Sequence, residues 1–241
     1  MKDNFIHVCF VIDESGSMWG TESDVIGGFK KVIDEQKEIK EGTCAVSYFK
    51  FSTGVEEVFL GKDINEVEYL DGKYSPHGLT ALFDGVGQAI DKVGKWLNDM
   101  KEEDRPEKNL IVIMTDGGEN NSRDYDAAKV KEMIKHQEEK YNWSFVYMGS
   151  DLKDADDANT LGFKTRSFTA KGDYIKNYDM ISCSMASYRC TDGNLDAKTR
   201  AFANTLNEAT IEATKKYAKE NGLEVTGLLD VDNNEPFFKK D

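Results

Sequence analysis

The segment Asn109 to Thr115 carries Leu110, Ile111, Val112, Ile113 and Met114 without a polar interruption. A strand that is apolar on both faces belongs at the centre of a parallel sheet covered by helices on either side. Parallel neighbours need long crossovers, so the rest of the chain should alternate strand and helix. An apolar run over Phe5 to Ile12 reads as the first strand. Thr21 can then cap a helix whose Val25, Phe29, Val32 and Ile33 keep helical spacing, and Gly42 is placed to end it. Thr43 to Phe51 and Val55 to Leu60 flank Ser52-Thr53-Gly54 as a hairpin, which makes one antiparallel edge strand. Residues 81 to 100 give a helix with Leu82, Val86, Ile90, Val93, Leu97 and Met100 as its core stripe. A helix over residues 125 to 140, a strand from Trp143 to Met148, a short helix from Asp151 to Leu161 and a strand from Phe163 to Thr169 follow. Two more helices fit residues 173 to 189 and 195 to 220, the latter with a stripe of Leu195, Thr199, Phe202, Leu206, Ala209, Ala213 and Tyr217. Residues 223 to 241 show no clear period and read as a short strand plus a tail.

The first strand runs into Asp13-Glu14-Ser15-Gly16-Ser17-Met18, which sets a carboxylate and two hydroxyls at i, i+2 and i+4. Alternation along extended backbone would aim all three to one side. Two later pieces match in chemistry: Thr80 in Gly78-Leu79-Thr80-Ala81-Leu82, and Asp116 in Thr115-Asp116-Gly117-Gly118-Glu119-Asn120. In open α/β sheets, ligands bind beyond the carboxyl ends of strands where the strand order reverses. Asp13 and Asp116 follow the two strands expected side by side at the centre, and Thr80 precedes the helix leading into the second, so the three loops can converge. An oxygen-only set suits a hard cation such as Mg2+, not zinc or copper. Singly, Ser15, Ser17 and Thr80 read as turn and cap residues; the set reads as ligands.

These pieces, in this order, resemble the metal-ion-dependent adhesion site of the von Willebrand factor type A domain family, over roughly residues 4 to 190. The resemblance implies an α/β, Rossmann-like, doubly wound, mostly parallel sheet with one antiparallel edge strand and helices on both faces. It divides the chain into a domain over residues 1–190 and a C-terminal helical extension and tail over 191–241, packed on it. It further implies that Asp13, Ser15, Ser17, Thr80 and Asp116 surround one Mg2+ or Mn2+, Ca2+ being less suited, and that an acidic side chain of a partner protein completes the coordination. Glu14, Trp19, Glu119, Asn120 and Arg123 then fall on a partner-binding rim. Trp19 could anchor a partner or pack beneath the first helix, and His77 reads as a solvated loop histidine. The implied protein is a small, stand-alone, intracellular bacterial or phage member of the family, a binding module and not an enzyme.

Charge and cysteine usage narrow the classes. A formal net charge of −14 repels phosphate backbones and anionic bilayers, so neither nucleic acid nor membrane is an expected partner. No apolar run approaches the ~20 residues of a transmembrane helix, and no basic region precedes the first strand. Cys9 and Cys44 fall in strands as small hydrophobes, and Cys183 and Cys190 lie two turns apart on one helix, too far to bridge. The expected location is the cytoplasm.

Rival readings rest on thinner signals. Gly16-Ser17-Met18-Trp19-Gly20 is not a dinucleotide-binding fingerprint, and no phosphate-binding P-loop occurs. Neither the acidic cluster Asp151, Asp154, Asp156 and Asp157 nor Asp230-Val231-Asp232-Asn233-Asn234 has the spacing of a calcium loop. A metal-dependent hydrolase or phosphotransferase could use Asp13 as nucleophile, with Glu14 or Glu119 as base. Against it, the motif lacks a second Asp at position 15 and any His or Lys to act as acid.

Overall fold

The structure, a computed structural model, describes residues 1–150, 152–163, 165–168, 174–192, 194–220, 222–225 and 238–240. Its centre is a six-stranded sheet in the order β3-β2-β1-β4-β5-β6. The strands are β1 (Lys2–Asp13), β2 (Thr43–Phe51), β3 (Val55–Asp63), β4 (Pro106–Met114), β5 (Ser144–Gly149) and β6 (Thr165–Phe168). All neighbours pair in parallel except β2 with β3, so the hairpin supplies the antiparallel edge. The helices are α1 (Glu22–Glu38), α2 (Leu82–Asp99), α3 (Ala127–Tyr141), α4 (Leu152–Leu161), α5 (Tyr174–Cys190) and α6 (Leu195–Glu220). β7 (Leu223–Val225) and β8 (Phe238–Lys240) form a separate small ribbon. This is a doubly wound α/β fold.

Side-chain alternation divides the interior into two layers. From β1, Ile6, Val8, Phe10 and Ile12 join Leu110, Val112 and Met114 of β4 beneath α1, α5 and α6. Cys9 and Val11 join Ile111 and Ile113 on the opposite face, under α2 and α3. The first layer is aromatic: Phe29 meets Phe10 edge-on at 5.5 Å and Tyr48 at 5.0 Å. α5 approaches α1 so closely that a Cβ on Gly28 would stand 2.1 Å from the Tyr178 ring. Phe202 and Leu206 of α6 are buried in the same layer, with Leu195 and Ala209 against it. The side chains of Ala213 and Tyr217, and residues 226–237, lie outside the described set. Among the described residues no helix is long and apolar enough to cross a membrane.

Both ends of α1 differ from the sequence expectation. Thr21 stands at the N-cap of α1, but its hydroxyl donates back to the Met18 carbonyl at 2.6 Å. α1 also stops at Glu38, ahead of Gly42, which turns the chain into β2 with φ +66°. The final carbonyls of a helix lack partners within it. Here Arg189 of α5 serves the end of α1 and the turn after it, its guanidinium donating to the carbonyls of Gln36 at 2.7 Å, Ile39 at 3.0 Å and Glu41 at 3.1 Å. The cap comes from another helix, with no local signal.

One polar chain crosses four adjacent strands. His7 of β1 bonds through Nε2 to Ser47 Oγ of β2 at 2.8 Å and through Nδ1 to Asn109 Oδ1 of β4 at 3.2 Å. Gly61 of β3 donates to the same serine oxygen at 2.9 Å. Ser, His and Asn in contact can suggest a nucleophile and base, but all three are buried and the Trp96 ring lies 4.8 Å from the imidazole. The network instead ties strand register, because a slipped strand would leave these groups unsatisfied in an apolar layer. Burial holds the His7 imidazole neutral, lowering its pKa from 6.5 to about 3. A lowered folded pKa means stability that is complete above pH 6.5 and is lost as pH falls towards 3, up to about 5 kcal/mol. Urea unfolding between pH 7.5 and 4 should therefore show a steeper loss for the wild type than for His7→Gln, which cannot charge. Parallel pH slopes in the two proteins would refute this.

Candidate metal centre

The reversal of strand order falls between β1 and β4, since β1 leads through α1 to β2 on one side and β4 through α3 to β5 on the other. Such a switch point opens a crevice at the carboxyl ends of the two strands. Asp13 is the last residue of β1, and Asp116 lies two residues beyond the end of β4. Thr80 comes from the segment before α2.

Three bonds stitch that segment to the end of β1. His77 N–H donates to Glu14 O at 2.7 Å, Gly16 N–H to Gly78 O at 3.1 Å, and the Tyr74 hydroxyl to Asp13 O at 2.6 Å. A fourth, Asn120 N–H to Thr80 O at 3.0 Å, brings in the loop after β4.

The motif itself is not extended, contrary to the alternation expected for it. Gly16–Met18 form one 3-10 turn, with Met18 buried beneath as its anchor. The turn brings Ser15 Oγ and Ser17 Oγ to 3.0 Å from each other. A Cβ on Gly117 would stand 3.0 Å from Ser17 Oγ and 3.4 Å from Thr80 Oγ1, so glycine leaves the space between those loops open. Ser15, Thr80 and Asp116 are buried and Ser17 is exposed, so the cluster opens to solvent at Ser17.

Asp13 is fully buried and oriented by two donors. Ser15 N–H donates to Oδ1 at 2.7 Å and the Thr115 hydroxyl to Oδ2 at 2.6 Å. Thr115 was not singled out from the sequence, although its place in Thr-Asp-Gly was the available signal. Tyr74 had none. Burial raises the Asp13 carboxyl from 3.8 to about 6, the donated bonds oppose the rise, and the Asp116 charge adds to it. An ionised Asp13 is therefore costly at neutral pH, and a cation nearby would remove that cost.

These residues fit a hard divalent ion. Among the described residues no three His, Cys, Asp or Glu side chains gather as a metal site, so a metal held here depends on hydroxyl oxygens beside two carboxylates. Oxygen donors of that kind suit Mg2+ or Mn2+.

The expected rim divides. Trp19 is 76% exposed, which rules out packing beneath α1; Asn120, Arg123 and His77 are exposed as well. Leu79, overlooked in the sequence, is 50% exposed beside Thr80. Glu14 is not on the rim. It is buried, 3.2 Å from Lys50 Nζ, and accepts from Ser75 N–H at 2.6 Å. Glu119 also turns inward, where its carboxylate accepts from Phe83, Asn121 and Ser122. Asn120 Oδ1 accepts from Thr80 N–H at 2.9 Å.

With this geometry in view, the chain matches the von Willebrand factor type A domain over residues 7–184, and it belongs to that family. Proximal thread matrix protein 1 from the mussel byssus is similar with a TM-score of 0.56 at 17% identity, over 79% of this chain and 48% of that one. A structure of the same byssus protein with a zinc-occupied MIDAS motif gives 0.51 at 17% identity, over 76% and 46%. The pilus adhesin SpaC of Lactobacillus rhamnosus GG, in its open conformation, gives 0.59 at 14% identity, over 78% and 30%. This chain thus spans less than half the length of each, and at such identity the likeness defines the fold.

The raised Asp13 pKa has a measurable consequence. A raised folded pKa means stability that is complete below pH 3.8 and lost as pH climbs through about 6, amounting to about 3 kcal/mol at neutral pH. In EDTA, Asp13→Asn should therefore be more stable than the wild type at pH 7.5 and lose that advantage by pH 4. An advantage that does not change with pH in denaturant titrations would contradict the assignment.

Proposed function

We propose that this domain holds one Mg2+ or Mn2+ at Asp13, Ser15, Ser17, Thr80 and Asp116 and uses it to capture an acidic side chain of a partner protein. The observation that carries the reading is the meeting of three loops, each bringing oxygen donors, around the opening over Gly117. When bound, the cation supplies an open coordination position for an incoming carboxylate. The chain's own residues orient the donors: Thr115 and the Ser15 amide fix Asp13, while the 3-10 turn holds Ser15 beside Ser17. Zinc in the byssus protein's motif supports divalent metal binding in the family. The hydroxyl-rich donor set here favours the harder ions, with Ca2+ less suited for want of carboxylates.

Exposed Trp19 and Leu79, each next to a ligand-bearing turn, would give the partner apolar contact around its carboxylate. A net charge of −14 repels an acidic partner in general, so capture must rely on the cation. The same field argues against nucleic acid and anionic membranes as partners, and free cysteines suit a cytoplasmic setting. We take residues 1–190 as the domain and 191–241 as an extension braced on it through Phe202 and Leu206.

Binding is favoured over hydrolysis or phosphoryl transfer by the groups a catalyst would need. Both Asp13 oxygens accept hydrogen bonds in a buried setting, which suits a held ligand more than a nucleophile. Glu14 is tied to Lys50 and Ser75, and Glu119 to loop amides, so neither stands ready as acid or base.

Calorimetry should give one Mn2+ or Mg2+ site in the wild type and none in Asp13→Ala. At metal one hundred times its dissociation constant, binding to the folded state adds about 2.7 kcal/mol, or about 5 to 10 °C in Tm for a chain of this size. Equal metal affinity in Asp13→Ala, or turnover of a generic phosphate or carboxylic ester that Asp13→Ala loses, would overturn the reading.

A further inference from the structure

Helix α2 begins without a cap of its own. Its N-cap residue is Ala81, whose side chain can accept nothing, and the first N–H groups of a helix have no partner inside it. The loop after β4 supplies what is missing. Glu119 Oε2 accepts from Phe83 N–H at 3.0 Å, and Ser122 Oγ accepts from Asp84 N–H at 3.1 Å. One residue before the N-cap, Asn120 and Thr80 exchange bonds, Thr80 N–H to Asn120 Oδ1 at 2.9 Å and Asn120 N–H to Thr80 O at 3.0 Å.

The exchange also runs the other way. Asp84, in the first turn of α2, turns its carboxylate back onto the loop. It accepts from the N–H groups of Arg123 at 2.9 Å, Asp124 at 3.0 Å and Tyr125 at 2.9 Å. Glu119 folds its own loop as well, accepting from Asn121 N–H at 2.8 Å and from Ser122 N–H and Oγ at 2.7 Å each. Two carboxylates thus gather seven donated bonds, four of them between segments about forty residues apart and three within the loop, and both lie at a helix N-terminus, where the dipole favours negative charge.

The geometry points to a clamp: Glu119 and Asp84 are positioning residues that fix the Thr80 segment against the Asp116 loop and so set the spacing of their oxygens for a cation. This rests on the metal reading above and adds to it which residues outside the donor set govern affinity. The clamp joins the two loops that β-pairing leaves free to part, since Thr80 precedes α2 and Asp116 follows β4. Asp13, Ser15 and Ser17, by contrast, share one continuous turn at the end of β1. Outer partners of metal ligands are worth about 10- to 100-fold in metal affinity, and Glu119 and Asp84, which act through the Phe83 amide and the Arg123 to Tyr125 amides, set the lower end of that range here.

The experiment compares wild type, Glu119→Gln, Asp84→Asn and the milder Ser122→Ala, with Asp13→Ala as the metal-site control. Mn2+ affinity is measured by calorimetry well below the melting temperature, and amide hydrogen exchange is measured in EDTA. The clamp predicts Mn2+ binding weaker by about 10-fold or more in Glu119→Gln and Asp84→Asn and by less in Ser122→Ala. It also predicts faster exchange at Thr80, Phe83 and Asn120 while strand amides keep their protection. A role confined to stability would lower Tm and leave the affinity of the folded protein within twofold of wild type, which would overturn the inference. If the wild type shows no Mn2+ binding that Asp13→Ala removes, the metal reading fails. The exchange arm still decides the clamp, which unchanged protection at Thr80 and Asn120 would sink. Should either carboxylate variant fail to fold, Ser122→Ala carries the same two readouts.

Discussion

β1 and β4 lie side by side in parallel, in register from Ile6 opposite Lys108 to Ile12 opposite Met114. Every other feature of the candidate centre depends on that pairing. It ends both strands at the same level of the sheet, so the segments leaving them start as neighbours although they are about a hundred residues apart in sequence. The pairing is held by burial on both faces: alternate residues of each strand go to the two apolar layers, and neither strand can shift by one residue without exchanging its layers. His7, bridging Ser47 and Asn109, adds a polar tie across β2, β1 and β4 within the layer under α2.

A carboxylate at the end of such a strand is expensive. Asp13 has the apolar sheet behind it, takes its donated bonds from Ser15 and Thr115, and faces the charge of Asp116. A neutral side chain at this position would cost less, so Asp13 is a place where the chain carries a charge at the expense of stability. The polar groups around it follow the same logic. Glu14, next in sequence, is paired with Lys50 and held by the Ser75 amide, so it turns away from Asp13.

The connections between loops are made by side chains acting as caps at a distance. Arg189 closes the carboxyl end of α1 from α5, and Glu119 and Ser122 close the amino end of α2 from the loop after β4. Helix termini in this domain are thus joints between segments as well as ends. This explains why Glu119 and Glu14, placed on a partner-facing rim from their position in sequence, turn inward. In both cases a charged side chain near a candidate donor position finds loop N–H groups or an ammonium closer than solvent.

What the sequence determined by itself was the alternation of strands and helices, the central place of the apolar Leu110–Met114 run, and the donor set Asp13, Ser15, Ser17, Thr80 and Asp116 as a candidate group. Those features are local or periodic: continuous apolarity, helical spacing, and short strings of oxygen-bearing residues at strand ends. The tertiary structure alone decided where α1 stops, that Ser15 and Ser17 meet through a 3-10 turn and not along an extended strand, and which rim residues reach solvent. It also decided that Thr115 and Tyr74 bond to Asp13, and that Asp84 and Glu119 bond across the start of α2 and the loop after β4. Each of these depends on a hydrogen bond or a buried charge whose partner lies tens of residues away. A buried polar group must be satisfied by whatever the fold places nearest, and that neighbour is set by packing, not by sequence position.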